Sequence, residues 1–254
     1  MDLKPYVKGI EKQKLNVEGV IVYQHGREIA RHRWIPEKPK HVWSVSKSFA
    51  SIAIGMAIDE GKLRLSDRLV QVLNRKKPEP RWNAITLEHL LTMNMGHLGD
   101  KRPENLDGLF SLEISKDPGT YYFYDSGCSH LASAMFTKVT GEKIRDYLLD
   151  RLFRPLGIPD PDWEESADGF TLGGYGLAVS TSSMAVFGQF LLHRGNWQGK
   201  QLVSAAWLDR ATRTQVQTAT YLIGKGNHSD PGPEFRVVTC HRIVSGFDLD
   251  SKIP

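Results

Sequence analysis

Between Ser44 and Glu60 the apolar side chains Val45, Phe49, Ile52, Ala53 and Met56 recur at the spacing that lines one face of an α-helix. Gly61 follows where a left-handed C-terminal residue belongs. No other stretch limits the fold as strongly, because a helix with such a face must bury it against other elements. The chain offers them. Leu3, Val7 and Ile10 predict a short N-terminal helix; Val17 to Gln24 and Glu28 to Trp34 predict a hairpin about the turn His25-Gly26. Further helices are expected from Leu87 to Met93, capped by Thr86, from Ser126 to Val139, ended by Gly141, and from Lys143 until Pro155 prevents continuation. After the tight turn Gly173-Gly174-Tyr175-Gly176, helical periodicity returns from Ser182 to His193, and Ser204 caps a helix to about Arg213. Strands followed by many helices define an α/β (α+β) class. Beyond Thr218, Gly224, Gly226, Pro231, Gly232 and Pro233 break the pattern, and only Phe235 to Val244 reads as strand.

A chain of 254 residues can bury a sizeable core as one globular unit. The net charge of +4 is spread among mixed-sign residues, which points to no nucleic-acid partner and no membrane surface. Met1 to Asn16 is polar, unlike a signal peptide, and no later stretch is apolar enough to span a bilayer, so a cytoplasmic location is expected. Cys128 and Cys240 are far apart and read as inert thiols. The nine histidines, His25, His32, His41, His89, His97, His130, His193, His228 and His241, are dispersed and read as surface or turn residues, with no clustered donors for a metal.

Ser44-Val45-Ser46-Lys47 places a hydroxyl and an amine three residues apart, side by side if the segment is helical. A deprotonated amine there can take the serine proton, and the free N–H groups and dipole of a helix start favour an oxyanion. By itself the pattern is weak, since on the order of one such match arises by chance, and Ser44 also reads as an ordinary helix cap. Tyr124-Asp125-Ser126, just ahead of a helix, adds a phenol that can relay protons; by itself it reads more readily as a strand-end aromatic anchoring the core. Trp43 is placed to line a pocket or to fill a core.

Taken in order, these landmarks resemble the serine hydrolases of the β-lactamase and penicillin-binding-protein superfamily. The resemblance runs from about Val17 to Arg213. Trp43-Ser44-Val45-Ser46-Lys47-Ser48-Phe49 with Gly61-Lys62-Leu63 and Leu65-Ser66-Asp67 is similar to the first motif and its helix. Pro118-Gly119-Thr120 leading into Tyr124-Asp125-Ser126 is similar to the second, with Ser where Asn is usual. Thr140-Gly141, Pro155-Leu156-Gly157-Ile158 and Gly174-Tyr175-Gly176-Leu177 also match. The resemblance implies a two-lobed fold, with an antiparallel sheet built from terminal segments and a helical lobe inserted from about Gly61 to Gly174. It also implies Ser44 as nucleophile, Lys47 and Tyr124 as its proton-handling partners, and an acyl-enzyme needing no metal or organic cofactor. Ser126 and Trp43 become substrate-binding candidates. Within the superfamily the esterase or 6-aminohexanoate-dimer-hydrolase-like branch is expected, acting on small esters or amides. β-Lactamase or D-alanyl-D-alanine peptidase-like activity is the first alternative and a catalytically silent penicillin-binding-like protein the second. The third family motif has no copy: Val244-Ser245-Gly246 keeps only a Ser-Gly pair, and Lys225-Gly226 lacks the middle residue. The atypical tail, residues 219–254, is expected to reflect a truncated or frame-shifted gene end.

Overall fold

The computed structural model of the chain describes residues 1–75, 79–99, 103–217 and 236–238. Helix α1 (Lys4–Lys12) leads into the hairpin of β1 (Gly19–Gln24) and β2 (Arg27–Arg33). His25 and Gly26 both have positive φ, 49° and 75°, the primed-turn geometry whose twist matches paired strands. β3 (Lys40–His41) and a 3₁₀ turn at Trp43–Val45 then run into α2 (Ser46–Asp59). Short helices follow: α3 (Leu69–Val72), α4 (Pro80–Ala84), α5 (Leu87–Leu91) and α6 (Leu106–Phe110). The long α7 (Ser126–Thr140) precedes α8 (Ile144–Leu148), which passes into a π-helical turn at Leu149–Phe153. The chain continues through β4 (Ala178–Val179), α9 (Thr181–Leu192), the small hairpin β5 (Asn196–Trp197) and β6 (Lys200–Gln201), α10 (Ala205–Thr212) and β7 (Thr214–Gln217). β8 (Arg236–Val238) pairs antiparallel with β7.

Helix α2 is the axis of the core. Every residue from Ser46 to Ala57 is buried, so the one-sided helix expected from the sequence is covered all round. Phe49 stacks on Phe187 of α9, ring centroids 3.8 Å apart, and meets Phe153 on another side. Gly55 is needed because a side chain there would stand 2.3 Å from the Trp207 ring, so the glycine lets α10 close on α2. α7 and α8 also pack against α2, while α9 lies under β1. The hairpin is fastened to the start of α9: Glu37 accepts hydrogen bonds from the Ser182 backbone N–H (2.6 Å) and hydroxyl (2.9 Å), and Arg31 donates to Ser182 Oγ at 3.0 Å.

The expected sheet of terminal segments takes a different form. Among the described residues the strands form four separate antiparallel pairs, β1–β2, β3–β4, β5–β6 and β7–β8. The tail strand therefore joins β7, the edge next to it in sequence, and not the early hairpin. The remaining tail expectations fall on residues outside the described ones.

Candidate active site

The Ser44 segment starts two residues before its helix. Ser44 lies in the 3₁₀ turn, α2 begins at Ser46, and Val45 at the helix cap makes no side-chain capping bond, so Ser44 is not the cap that the sequence suggested. Trp43, a bulky residue at φ 47°, adopts a conformation that such side chains rarely take. The cost is of the order of 1–3 kcal/mol, and such residues persist only where surrounding contacts over-determine them. Those contacts are present. β3 pairs with β4 through Lys40 and Val179 and through His41 and Ala178. The Val42 N–H donates to the Leu177 carbonyl at 2.9 Å. Ser46 Oγ donates to the Trp43 carbonyl at 2.6 Å and accepts from the Leu177 N–H at 3.2 Å.

The Tyr124 segment is held just as firmly. Gly119 N–H donates to the Asn94 carbonyl at 2.8 Å and Phe123 N–H to the Met93 carbonyl at 3.0 Å. Asp125 then caps α7, its carboxylate accepting from the Gly127 N–H at 2.8 Å, so Tyr124 sits one residue before a fixed helix start.

These two pieces meet. Ser44 Oγ lies 2.6 Å from Tyr124 Oη, with either hydroxyl able to donate. Lys47 Nζ, one turn along from Ser44 and buried, donates to Ser44 Oγ at 3.0 Å, to Ser126 Oγ at 3.2 Å and to the Gly174 carbonyl at 2.6 Å. It also stands 5.2 Å from the centre of the Tyr124 ring. Burial lowers the Lys47 pKa to about 8; the nearby Asp125 carboxylate opposes that shift without cancelling it. Once neutral, the amine still has two N–H donors for Gly174 and Ser126, and its lone pair is free to face Ser44 Oγ.

Ser44 opens onto a cavity of about 390 Å³ lined by Trp43, Glu104, Ser126, His130 and Tyr175 among others. Trp43 is 73% exposed, a rim residue and not a core aromatic. The turn 173–176 forms the far wall and rests on α7. A Cβ at Gly173 would lie 2.3 Å from the Ser129 carbonyl oxygen, and one at Gly174 would lie 2.9 Å from Ser126 Cβ. Overpacking of this kind costs about 1–3 kcal/mol. Gly173→Ala should therefore lower the thermal midpoint and, by moving the Gly174 carbonyl, shift the Lys47 titration; an unchanged melting curve would show that the turn accommodates the methyl.

All five residues expected at the site, Trp43, Ser44, Lys47, Tyr124 and Ser126, come together. The histidine reading needs correction at two positions. His97 is buried, its ring bonded to the Glu113 carbonyl at 3.0 Å, and His130 is buried in the cavity wall. His130 stands four residues after Ser126 on α7, one helical turn along the same face, a spacing present in the sequence. The Gly174 carbonyl left no such signal, since a backbone oxygen has no residue type. Cys128 is a buried free thiol, as read, and burial pushes its pKa up; Cys240 lies outside the described residues. Among the described residues no group of His, Cys, Asp and Glu is arranged to hold a metal ion, and no helix is long and apolar enough to cross a membrane.

The Beta-lactamase family profile matches residues 7–228, and the chain belongs to that family. A Beta-lactamase of Escherichia coli (strain K12) is 27% identical over 166 residues, covering 59% of this chain and 44% of that protein. An uncharacterized protein of Alkalihalophilus pseudofirmus is 25% identical over 197 residues, covering 69% and 54%. The chain thus spans about half the length of these relatives. In fold it is similar to the octameric penicillin-binding protein homologue from Pyrococcus abyssi, with a TM-score of 0.65 at 19% identity over 84% of this chain and 60% of that one. The β-lactamase/transpeptidase-like fold and membership of a hydrolase superfamily follow.

Proposed function

We propose that this protein is a serine hydrolase that forms an acyl-enzyme on Ser44 and hydrolyses small esters or amides. The reading rests on one observation: Ser44 Oγ, on the cavity wall, is contacted at once by Tyr124 Oη at 2.6 Å and Lys47 Nζ at 3.0 Å. Neutral Lys47 takes the Ser44 proton as Oγ attacks the carbonyl carbon, and the negative charge moves to the carbonyl oxygen near the start of α2. The tetrahedral adduct collapses as Tyr124 gives its proton to the leaving group and recovers one from Lys47. Water then enters, loses a proton along the same route and releases the acid. Ser126 and Trp43 bind substrate. Ser126 in place of Asn offers a hydroxyl where an amide would grip a β-lactam side chain, which favours esters and small amides over β-lactams.

The test has two readouts. A fluorophosphonate or an activated ester should add one adduct to the intact mass, mapped to Ser44. Because free-enzyme ionisations shape kcat/KM, its value should rise with pH and level off near Lys47's value of about 8. Lys47→Arg, charged at every accessible pH, should lose that limb. An adduct mapped elsewhere, or a flat profile from about pH 6 to 9.5, overturns the assignment.

A further inference from the structure

Ser46 is the polar residue between Ser44 and Lys47, and the hydrolytic scheme leaves it without a role. It has no exposed surface, so it can act only through its neighbours. Its hydroxyl stands where the chain leaves the β3–β4 pair. Lys40 pairs with Val179 and His41 with Ala178, which brings Val42 opposite Leu177 as the next step of the ladder. The Val42 N–H donates to the Leu177 carbonyl at 2.9 Å, and residues of such a hydrogen-bonded antiparallel pair ordinarily exchange both bonds. Here the return bond is replaced. The Val42 carbonyl accepts from the Val45 N–H at 3.0 Å, which closes the turn, and Ser46 Oγ accepts from the Leu177 N–H at 3.2 Å. The same hydroxyl donates to the Trp43 carbonyl at 2.6 Å. One side chain thus stands in for a strand and grips the residue at which the chain turns. Trp43 needs that grip: its φ of 47° crowds its Cβ, and its ring is exposed, so the backbone has to be held by other means. Next in the chain is Ser44, whose Oγ must meet Tyr124 Oη at 2.6 Å and Lys47 Nζ at 3.0 Å. On the other side, Leu177 continues the wall from Gly174, whose carbonyl holds the same amine at 2.6 Å. Ser46 therefore ties together the two segments that bracket Lys47.

We infer that Ser46 is a positioning residue: its hydroxyl holds Trp43 in the left-handed conformation and so sets Ser44 Oγ against Tyr124 and Lys47. Without that hydroxyl the Leu177 N–H loses this acceptor, Trp43 relaxes toward negative φ, and Ser44 is carried off its partners. A displacement of about 1 Å at a reacting atom costs on the order of 10²-fold in rate. This deepens the reading of Ser44 as an acylated nucleophile and rests on it.

One readout uses chemistry and the other does not. Fluorophosphonate labelling of Ser44, followed by intact mass, and kcat and KM on a p-nitrophenyl ester are measured for Ser46→Ala, Ser46→Cys and Ser46→Thr. Ala deletes the hydroxyl, Cys keeps the volume with a weak donor and acceptor, and Thr keeps the hydroxyl. Ala and Cys should lower the labelling rate and kcat by about 10- to 100-fold with KM within about threefold, and Thr should stay within about fivefold of wild type. Trp43→Gly supplies the discriminating arm, because glycine takes positive φ without steric cost. Measured against Trp43→Gly alone, adding Ser46→Ala should cost no more than about threefold. An undiminished loss in the Trp43→Gly background, wild-type rates in Ser46→Ala, or a folded Ser46→Thr as slow as Ser46→Ala overturns the inference. The Cys and double variants decide it even if Thr is too large to fold. In the second readout the backbone carbon NMR shifts of Trp43 report its conformation directly and should leave the left-handed range in Ser46→Ala; shifts that stay there also overturn the inference. Should they move as described while no acyl probe labels Ser44 in the wild type, the role of Ser46 in the turn stands and the hydrolase reading falls.

Discussion

Replacing Ser44 by Ala should reduce the hydrolysis of short p-nitrophenyl esters by about 10⁴ to 10⁶ in kcat, with the circular dichroism unchanged. The hydroxyl is partly exposed at a turn whose position is fixed by backbone bonds to Leu177 and by Ser46, so its loss removes chemistry and leaves the frame. Lys47→Ala should cost about as much, because a nucleophile and its base act as one unit and their effects do not add. Truncating Lys47 also opens a buried space and strips donors from Gly174 and Ser126, so Lys47→Met is the cleaner variant. Its stability should report on the same charge. The folded pKa of about 8 lies below the unfolded value of 10.5, so between these values the unfolded chain binds more protons. Wild-type stability therefore rises with pH across that window, and in Lys47→Met the rise should be absent. Turnover retained in Ser44→Ala would remove Ser44 from the mechanism, whatever the melting data show.

The parts of the fold legible in the sequence are those written in local chemistry. α2 and α7 announce themselves through apolar periodicity and through glycines at their ends, Gly61 at φ 71° and Gly141 at φ 75°. Thr86 and Ser204 cap α5 and α10 as their residue types suggest, accepting from His89 N–H and Trp207 N–H. Ser44, Lys47 and Tyr124 were legible because Ser-x-x-Lys and Tyr-x-Ser sit at recognisable places relative to those helices.

What the sequence concealed depends on contacts between distant segments. The 3₁₀ turn carrying Ser44 exists because β3 and β4 pair over only two residues each, too short for any periodicity to show. Lys47 was read as lying on one face of an amphipathic helix, whereas α2 is buried on all sides, and the burial of Lys47, whose amine meets Ser126 at the start of α7 and the Gly174 carbonyl, lowers its pKa. The dispersed histidines looked unremarkable along the chain. Only the turn at residues 173–176, folded against α7, converts His130 from a helix residue into a cavity wall.

Tyr124→Phe keeps the ring, which packs against the core and lies 5.2 Å from Lys47 Nζ, and deletes the oxygen 2.6 Å from Ser44 Oγ. The melting temperature should stay close to wild type while kcat falls by about 10² to 10⁴, the span general acid–base catalysis covers. The size of the loss should depend on the leaving group. A p-nitrophenolate departs without needing a proton, whereas an anilide or simple alkyl amide must be protonated as the C–N bond breaks, so the phenol matters most there. The deficit should thus be smallest on p-nitrophenyl esters and grow as the leaving group becomes more basic, a trend that mere loosening of packing would not produce. Lys47 remains in Tyr124→Phe, so the rise of kcat/KM toward pH 8 should persist at reduced height. Rates within about threefold of wild type on both substrate types would mean that Lys47 handles the proton alone and that Tyr124 serves only to pack the wall beside it.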